Sequence, residues 1–206
     1  MNQNRWLTFA AGLVLALTLG YVVGVATTHR GAGKPSSADI GFAQDMSAHE
    51  AQAITLAQAA LAHATTPAVI SIARQVLLTF SGERGVLVGW LTDWGAPLRP
   101  KGPAMAWMGT SSMPGMAANT ALPGLASNED LARLSASSGK AFDVLFLQLM
   151  IRHHVGAIEL TTEAAKVAHL SEVRDYATTT LADLRQDNAI MLPMLQADGG
   201  KVLALN

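Results

Sequence analysis

Methionine and histidine recur at the same spacing twice in this sequence of 206 residues. Met46 precedes His49 by three positions in MSAHEA, and Met150 precedes His153 by three positions in MIRHHV. A neutral imidazole and a thioether are both copper ligands, and the thioether in particular selects Cu(I). Residues three apart share one face of a helix, so both side chains of a pair can reach one ion. The two pairs therefore predict a metal site built from histidine and methionine.

A second group of candidate ligands lies in MAWMGTSSMPGM, which holds Met105, Met108, Met113 and Met116. The chain contains no cysteine, so thiolate chemistry and disulfides are excluded, and a metal must be held by His, Met, carboxylate or backbone. A flexible Met-rich segment outside the cytoplasm is typical of a Cu(I) or Ag(I) binder. The alternative is that these methionines pack over the helices as an adaptable apolar lid.

An internal repeat indicates which elements carry the Met-x-x-His pairs. DIGFAQDMSAHEAQAITL (39–56) aligns with DVLFLQLMIRHHVGAIEL (143–160) at an offset of 104 residues. The alignment continues without a gap over 39–95 and 143–199, with 15 identities in 57 positions. Such a match predicts two copies of one structural unit.

Each repeat unit is predicted to be a helical hairpin, because apolar residues recur at spacings of three and four. The predicted helices cover 42–61 and 69–91 in the first unit, and run from Ser137 or Ser138 to 167 and from a Ser171 cap to 195 in the second. Pro193 is predicted to kink or end the last helix, and Gly82, Gly85 and Gly89 to permit close packing of the second. The linker 96–138 is predicted to hold one short helix near 129–134. Two hairpins without strand signals predict an all-α four-helix bundle.

The helical spacing predicts that His49 and His153 face the core. They continue stripes that start at Phe42 and Phe146, so two units packed with pseudo-two-fold symmetry bring the imidazoles together. Asp39 and Asp143 lie on the same stripes. The alternative to a metal site is therefore a buried His–Asp hydrogen bond that fixes the register of the bundle.

Residues 6–28 are predicted to be a transmembrane anchor. No charge interrupts 7–28, which as a helix spans roughly 33 Å, enough for a ~30 Å hydrocarbon core. This prediction leaves 1–5 in the cytoplasm, 29–38 as a linker and 39–206 as an extracytoplasmic domain on a single-pass cell-membrane protein. The alternative is that residues 1–28 are a cleaved signal segment and that the rest of the chain is secreted.

Several classes of function are excluded by what the sequence lacks. Acidic and basic residues are nearly balanced, 15 against 14, and no basic patch indicates nucleic acid. Di-iron oxidases use Glu-x-x-His, which does not occur here. No serine lies in a nucleophile elbow. The chain is therefore predicted not to be an enzyme, and protein partners and homo-oligomerisation are left open.

The sequence resembles the domain of unknown function 305 family of exported bacterial proteins. The resemblance rests on FDVLFLQLMIRHHVGAIEL, on the weaker DIGFAQDMSAHEAQAITLA, on WLTDWG (90–95), and on the Met-rich linker leading into LPGLASNEDLARLSASSGKAFD, and it covers about 39–200. It implies a ferritin-like four-helix bundle, with copper binding outside the cytoplasm as in some members. The ligands that it implies are Met46, His49, Met150, His153 and His154.

Two positions depart from the family pattern. Glu50 stands where the pattern tends to have a second histidine, and Leu160 where methionine is common. Both changes remove soft ligands, and the Glu50 carboxylate instead suits Cu(II) or a harder ion.

The sequence thus predicts a membrane-anchored, extracytoplasmic metal-binding protein that sequesters or hands over copper. The linker methionines would capture the ion and the His/Met stripes would hold it. The alternative is a non-catalytic structural or interaction module with buried His–Asp pairs and no metal.

Overall fold

The computed structural model of the chain describes residues 33–109 and 122–206. Within these residues it contains five α-helices, one turn of 3-10 helix and no strand. The helices are α1 (Ser37–His63), α2 (Pro67–Asp93), α3 (Asn128–Ala136), α4 (Gly139–Val167) and α5 (Ser171–Ala197). The all-α class predicted from the sequence is confirmed, whereas the predicted anchor, 6–28, lies outside the described residues.

The four long helices pack in pairs that follow the sequence repeat. Contacts are densest between α1 and α2 and between α4 and α5, and α1 and α4 join the two pairs. Residues 35–206 form one compact unit. Within the described part of the chain, α4 alone has the length and hydropathy of a membrane span, and 67% of that stretch is buried inside the protein, as in a core helix.

The first two helices extend beyond their predicted bounds, 37–63 against 42–61 and 67–93 against 69–91, and the last helix differs at both of its ends. Leu170, not Ser171, occupies the cap position of α5, and Ser171 is the first helical residue. The last helix also continues through Pro193 to Ala197. Proline removes only one intrahelical hydrogen bond, and the fully buried Met191 and Leu195 anchor α5 on either side of it.

The core lies along the two predicted stripes. Their apolar members are all 1% exposed or less: Phe42, Met46, Ala53, Leu56, Phe146, Met150, Ala157 and Leu160. Burying each large side chain contributes about 1.5–3 kcal/mol, so these stripes hold α1 against α4. The glycines of α2 do not serve packing, because a Cβ at Gly82, Gly85 or Gly89 would meet no atom within 4 Å.

Two aspartates join the hairpins by a reciprocal exchange of hydrogen bonds, in which each accepts from a backbone amide of the other hairpin. Asp39 of α1 accepts a hydrogen bond from the Leu170 amide, 3.0 Å away, where α5 begins. Asp143 of α4 accepts one from the Thr66 amide at 2.9 Å, where α2 begins. Positions 39 and 143 are equivalent in the repeat, and so are 66 and 170. Each carboxylate therefore lies at the positive N-terminal end of the other unit's second helix, where a negative charge is stabilising.

The predicted His–Asp pairs are wrong, and these exchanges are the reason. Asp143 also accepts hydrogen bonds from the Thr65 amide and from both threonine hydroxyls, and Asp39 also accepts from the Ser36 hydroxyl and amide. The backbone amides at helix starts have no intrahelical partner, so they donate to these carboxylates. The sequence alone had suggested the histidines as donors instead.

The end of the linker runs directly against α4 and reaches the centre of the protein. At Gly156 a Cβ would lie 1.9 Å from the Pro123 oxygen, so only glycine permits this approach. The short helix α3 follows and confirms the one predicted near 129–134. An ion pair between Asp130 of α3 and the buried Arg152 of α4 holds it in place.

Candidate metal centre

His49 and His153 lie against each other between α1 and α4. Their ring centroids are 3.9 Å apart with 48° between the ring planes, and both side chains are buried. The approach expected from the two stripes is therefore present. Because the residues are equivalent in the repeat, the contact lies where the two units meet.

Both rings are oriented by hydrogen bonds to backbone carbonyls. Nε2 of His49 donates to the Pro123 oxygen at 2.9 Å, and Nε2 of His153 donates to the His49 oxygen at 3.0 Å. A carbonyl oxygen only accepts, so each Nε2 carries the proton of a neutral ring and each Nδ1 is left with a free lone pair. Neither Nδ1 has a hydrogen-bond partner among the described residues. This is the tautomer that a metal-ligating histidine adopts when its other nitrogen is fixed by a carbonyl.

The imidazoles are kept neutral by their surroundings. Burial lowers the pKa of His49 from 6.5 to about 4. Burial also lowers the pKa of His153, and the neighbouring His49 and His154 lower it further. At neutral pH the Nδ1 lone pairs are therefore not occupied by protons, which metal binding requires.

His154 lies beside this pair. Its ring centroid is 6.3 Å from that of His153 and 5.6 Å from that of Phe80, and the side chain is fully buried. Burial, with a smaller contribution from His49, lowers its pKa to about 3. Neither of its ring nitrogens makes a hydrogen bond of ordinary geometry in the described part of the chain, although an interaction with the Asn188 side chain partly opposes the lowering of the pKa. His154 thus brings a third neutral imidazole to the same layer of the protein.

Met46 and Met150 are buried one helical turn before the histidine pair. A thioether in this place has no polar partner to lose, so it can serve either as packing or as a soft ligand. Among the described residues, no group of three or more His, Cys, Asp or Glu side chains is arranged to hold a metal ion. A site here would therefore depend on sulfur as well as on imidazole nitrogen.

Glu50 belongs to a separate polar cluster on the next face of α1. Its Oε1 accepts a 2.8 Å hydrogen bond from the Tyr176 hydroxyl, and its Oε2 has no partner among the described residues. Burial raises the pKa of Glu50 well above its ordinary value, and Glu83 beside it contributes. Burial, with the nearby Asp183 and Asp187, also raises the pKa of Glu83 to about 7.

Sequence reasoning missed the partners of Glu50. Glu83 lies on α2 and Tyr176 on α5, and no spacing in the sequence links either to position 50. One signal was present in the repeat. Position 50 is equivalent to His154 and position 83 to Asp187, so both positions carry a polar residue in both units, although the helices have buried faces.

The linker methionines divide into two groups. Met105 and Met108 are described, and Met108 is buried against the helices, as the lid interpretation expects. Asp45 accepts hydrogen bonds from the Met105 amide at 2.7 Å and from the Trp107 indole at 2.8 Å, which dock this stretch on α1. Met113 and Met116 lie outside the described residues.

Comparison with known proteins places this arrangement among related structures. The family described as Domain of unknown function (DUF305) matches residues 39–195. A crystal structure of a family protein from Streptomyces coelicolor, described as secreted, shares 27% identity with a TM-score of 0.74 over 82% of this chain and 98% of that one. A family fragment from Deinococcus radiodurans shares 28% identity with a TM-score of 0.66 over 80% of this chain and 99% of that one.

More distant structures share the fold. CopM in its Cu(II)-bound form shares 23% identity with a TM-score of 0.57, over 77% of this chain and 96% of CopM. Its Cu(I)-bound form shares 21% identity with a TM-score of 0.58 over the same shares of the two chains. No curated protein matches the sequence at a significant level.

Proposed function

The chain belongs to the domain of unknown function 305 family, and we propose that it is an extracytoplasmic metal-binding protein that carries copper as its cargo. The observation that supports this most is the pair of neutral imidazoles, His49 and His153, whose Nδ1 lone pairs are unpartnered in the core. Leaving a buried acceptor unsatisfied costs about 1–3 kcal/mol, which a bound ion would repay. Copper accepts both imidazole nitrogen and thioether sulfur.

The donors for the cargo ion come from two places. His49 and His153, with Met46 and Met150, would hold it in the core. His154 and Glu50, the other core ligands predicted from the sequence, form no group of three His or carboxylate ligands with this pair among the described residues. Met105, Met108, Met113 and Met116 of the linker would capture it first. The ion supplies no chemistry in this proposal, because sequestration or handover needs binding alone, and the protein is not an enzyme.

The proposed setting is a four-helix bundle held outside the cytoplasm by the anchor at 6–28. Contacts among α1, α2, α4 and α5 support the bundle. A family protein described as secreted supports the location, and CopM, a structural neighbour determined with Cu(I) and with Cu(II), supports the choice of ion.

Competition for Cu(I) tests the proposal. The purified full-length chain is titrated anaerobically against a chromogenic Cu(I) chelator, beside His49→Ala/His153→Ala and a matched control, His63→Ala/His169→Ala, at two exposed histidines. We expect sub-micromolar binding by the wild type and the control, and its loss in the core variant with the helical circular dichroism retained. If the chelator keeps all the copper from the wild type, the proposal is wrong.

A variant with the four linker methionines changed to leucine separates the two groups of donors. Slower uptake at unchanged affinity assigns capture to the linker, and lost affinity assigns it a share of the holding site.

The non-metal structural module keeps one specific observation in its favour. Both Nε2 atoms donate to backbone carbonyls, one of them in the linker, so the histidines also fasten the linker to the helices. Under this alternative the chelator keeps the copper, while His49→Ala still lowers the melting temperature by leaving the Pro123 oxygen unpaired.

A further inference from the structure

A pocket of about 340 Å3 lies between the first half of α1 and the stretch 100–107. Apolar groups and backbone form most of its wall, among them Ile40, Pro100, Pro103 and Trp107. Among the described residues that line it, Asp45 alone is ionisable. A concave, mainly apolar site with few polar groups is the usual form of a small-ligand pocket.

The charge of Asp45 is unmatched. Its side chain is 2% exposed, and both of its hydrogen bonds, from the Met105 amide and the Trp107 indole, go to Oδ2. No hydrogen bond or ion pair from the described residues reaches Oδ1. An asparagine would accept the same two bonds without burying a charge, so docking the linker does not explain the carboxylate. Oδ1 is not among the fully buried unpaired atoms, so this end of the carboxylate is open to the pocket, where a cation would offset the cost of the buried charge.

The wall opposite the carboxylate is preformed. Gly41 lets the Trp107 ring lie directly on α1, because a Cβ there would be 2.5 Å from Trp107 Cδ1. Phe42 fixes the same ring edge-on at a centroid distance of 5.7 Å. Met105 takes a left-handed backbone conformation, φ 61°, that turns the chain onto Asp45. The indole and the carboxylate are thus held together before any ligand arrives.

We propose that this pocket binds an organic cation, an alkylammonium or alkylguanidinium group. The cation pairs with Oδ1 of Asp45, and its apolar stem lies against Trp107 and the prolines, where contact removes apolar surface from water. The neighbouring polar groups among the described residues do not occupy the position beside Oδ1 of Asp45. Arg99 and Lys101 are exposed and do not line the pocket, and the Gln44 amide donates to the Pro97 and Arg99 carbonyls. The source is a free amine or a basic side chain of another protein.

Calorimetric titration of the full chain with four-carbon ligands tests the proposal. We expect saturable binding of n-butylammonium and n-butylguanidinium, and none of n-butanol or n-butyrate, which have the same stem without the positive charge. Equal binding of all four, or none of the cations, would overturn it. This comparison uses the wild type alone, so it does not depend on the stability of a variant.

Variants then locate the site. Asp45→Asn keeps an oxygen for both docking hydrogen bonds and should weaken cation binding at least tenfold. Asp93→Asn, at an exposed acid near the end of α2, should bind as the wild type does. Unchanged binding by Asp45→Asn would refute the assignment. Titration with a Gly-Lys-Gly peptide, capped at both ends, identifies the source, because tighter binding than butylammonium points to a protein side chain and weaker binding to a free amine.

Discussion

Replacing His154 by leucine should change how the stability of the protein depends on pH. The ring is fully buried, and burial lowers its pKa to about 3, against 6.5 in the unfolded chain. Below pH 6.5 the unfolded chain therefore takes up a proton that the folded chain refuses. The stability that neutral His154 permits is complete above pH 6.5 and is lost as the pH falls toward 3.

The magnitude follows from the distance between the pH and the unfolded pKa. At pH 5 this distance is about 1.5 units, and one unit corresponds to about 1.4 kcal/mol, so wild type loses about 2 kcal/mol at position 154 relative to pH 8. Glu83 acts in the opposite direction: with a pKa of about 7 in the folded state, it holds a proton at pH 5 that the unfolded chain has released. The prediction is therefore a difference between two proteins, in which such contributions cancel.

Urea unfolding followed by far-UV circular dichroism at pH 8, 6.5 and 5 measures the effect, with a chelator present so that no metal holds the neutral form. At pH 8 the variant should be more stable by about 1 kcal/mol, because a buried ring whose nitrogens lack hydrogen bonds of ordinary geometry is replaced by an apolar side chain. The difference in unfolding free energy between the variant and the wild type should increase by about 2 kcal/mol at pH 5. The exposed His169→Leu control should run parallel to wild type. If the His154→Leu profile is also parallel, the folded-state pKa is not depressed and the reasoning is refuted.

Three further substitutions test other parts of the structure by the same unfolding assay. Asp143→Ala removes four hydrogen bonds at the start of α2 and should cost about 3–5 kcal/mol; a cost below about 1 kcal/mol would contradict the exchange. Gly156→Ala should lower the free energy of unfolding by more than about 2 kcal/mol, because the added Cβ meets the Pro123 oxygen. The matched Gly82→Ala should stabilise α2 by up to about 1 kcal/mol, and equal effects of the two substitutions would refute the argument. Glu83→Gln should stabilise by about 1 kcal/mol at pH 8, because it removes a buried charge that Asp183 and Asp187 also repel. The gain should fade below pH 7 as the wild-type carboxyl takes up its proton, and a gain that persists in full at pH 5 would exclude this cause.

The parts of the fold that local spacing determines could be predicted from the sequence. Periodicity placed the four long helices, and the repeat indicated that His49 and His153 would meet, since equivalent positions on two copies of one unit face each other across the join. The short helix at 128–136 was predicted near 129–134, and in the structure it has a serine cap and an acidic first turn. These signals are local, so one sequence contains them in full.

The parts that depend on contacts between distant residues could not be predicted. The aspartates were expected beside the histidines because they share a stripe, but a stripe does not say which amides across the protein remain unpaired. The carbonyl of Pro123, which selects the tautomer of His49, belongs to a linker without periodicity. Glu83 and Tyr176 reach Glu50 from two other helices, and only the packed structure brings them there.

The exchange between Asp39 and Asp143 has a consequence for the symmetry of the chain. Because each carboxylate completes a helix of the other hairpin, the contacts would be the same if the two hairpins were separate molecules related by a two-fold axis. The tandem protein therefore has the form of a two-fold homodimer whose two subunits are joined in one chain. Because the two halves lie in one chain, they need not be identical, and equivalent positions differ: position 50 carries a carboxylate and position 154 an imidazole.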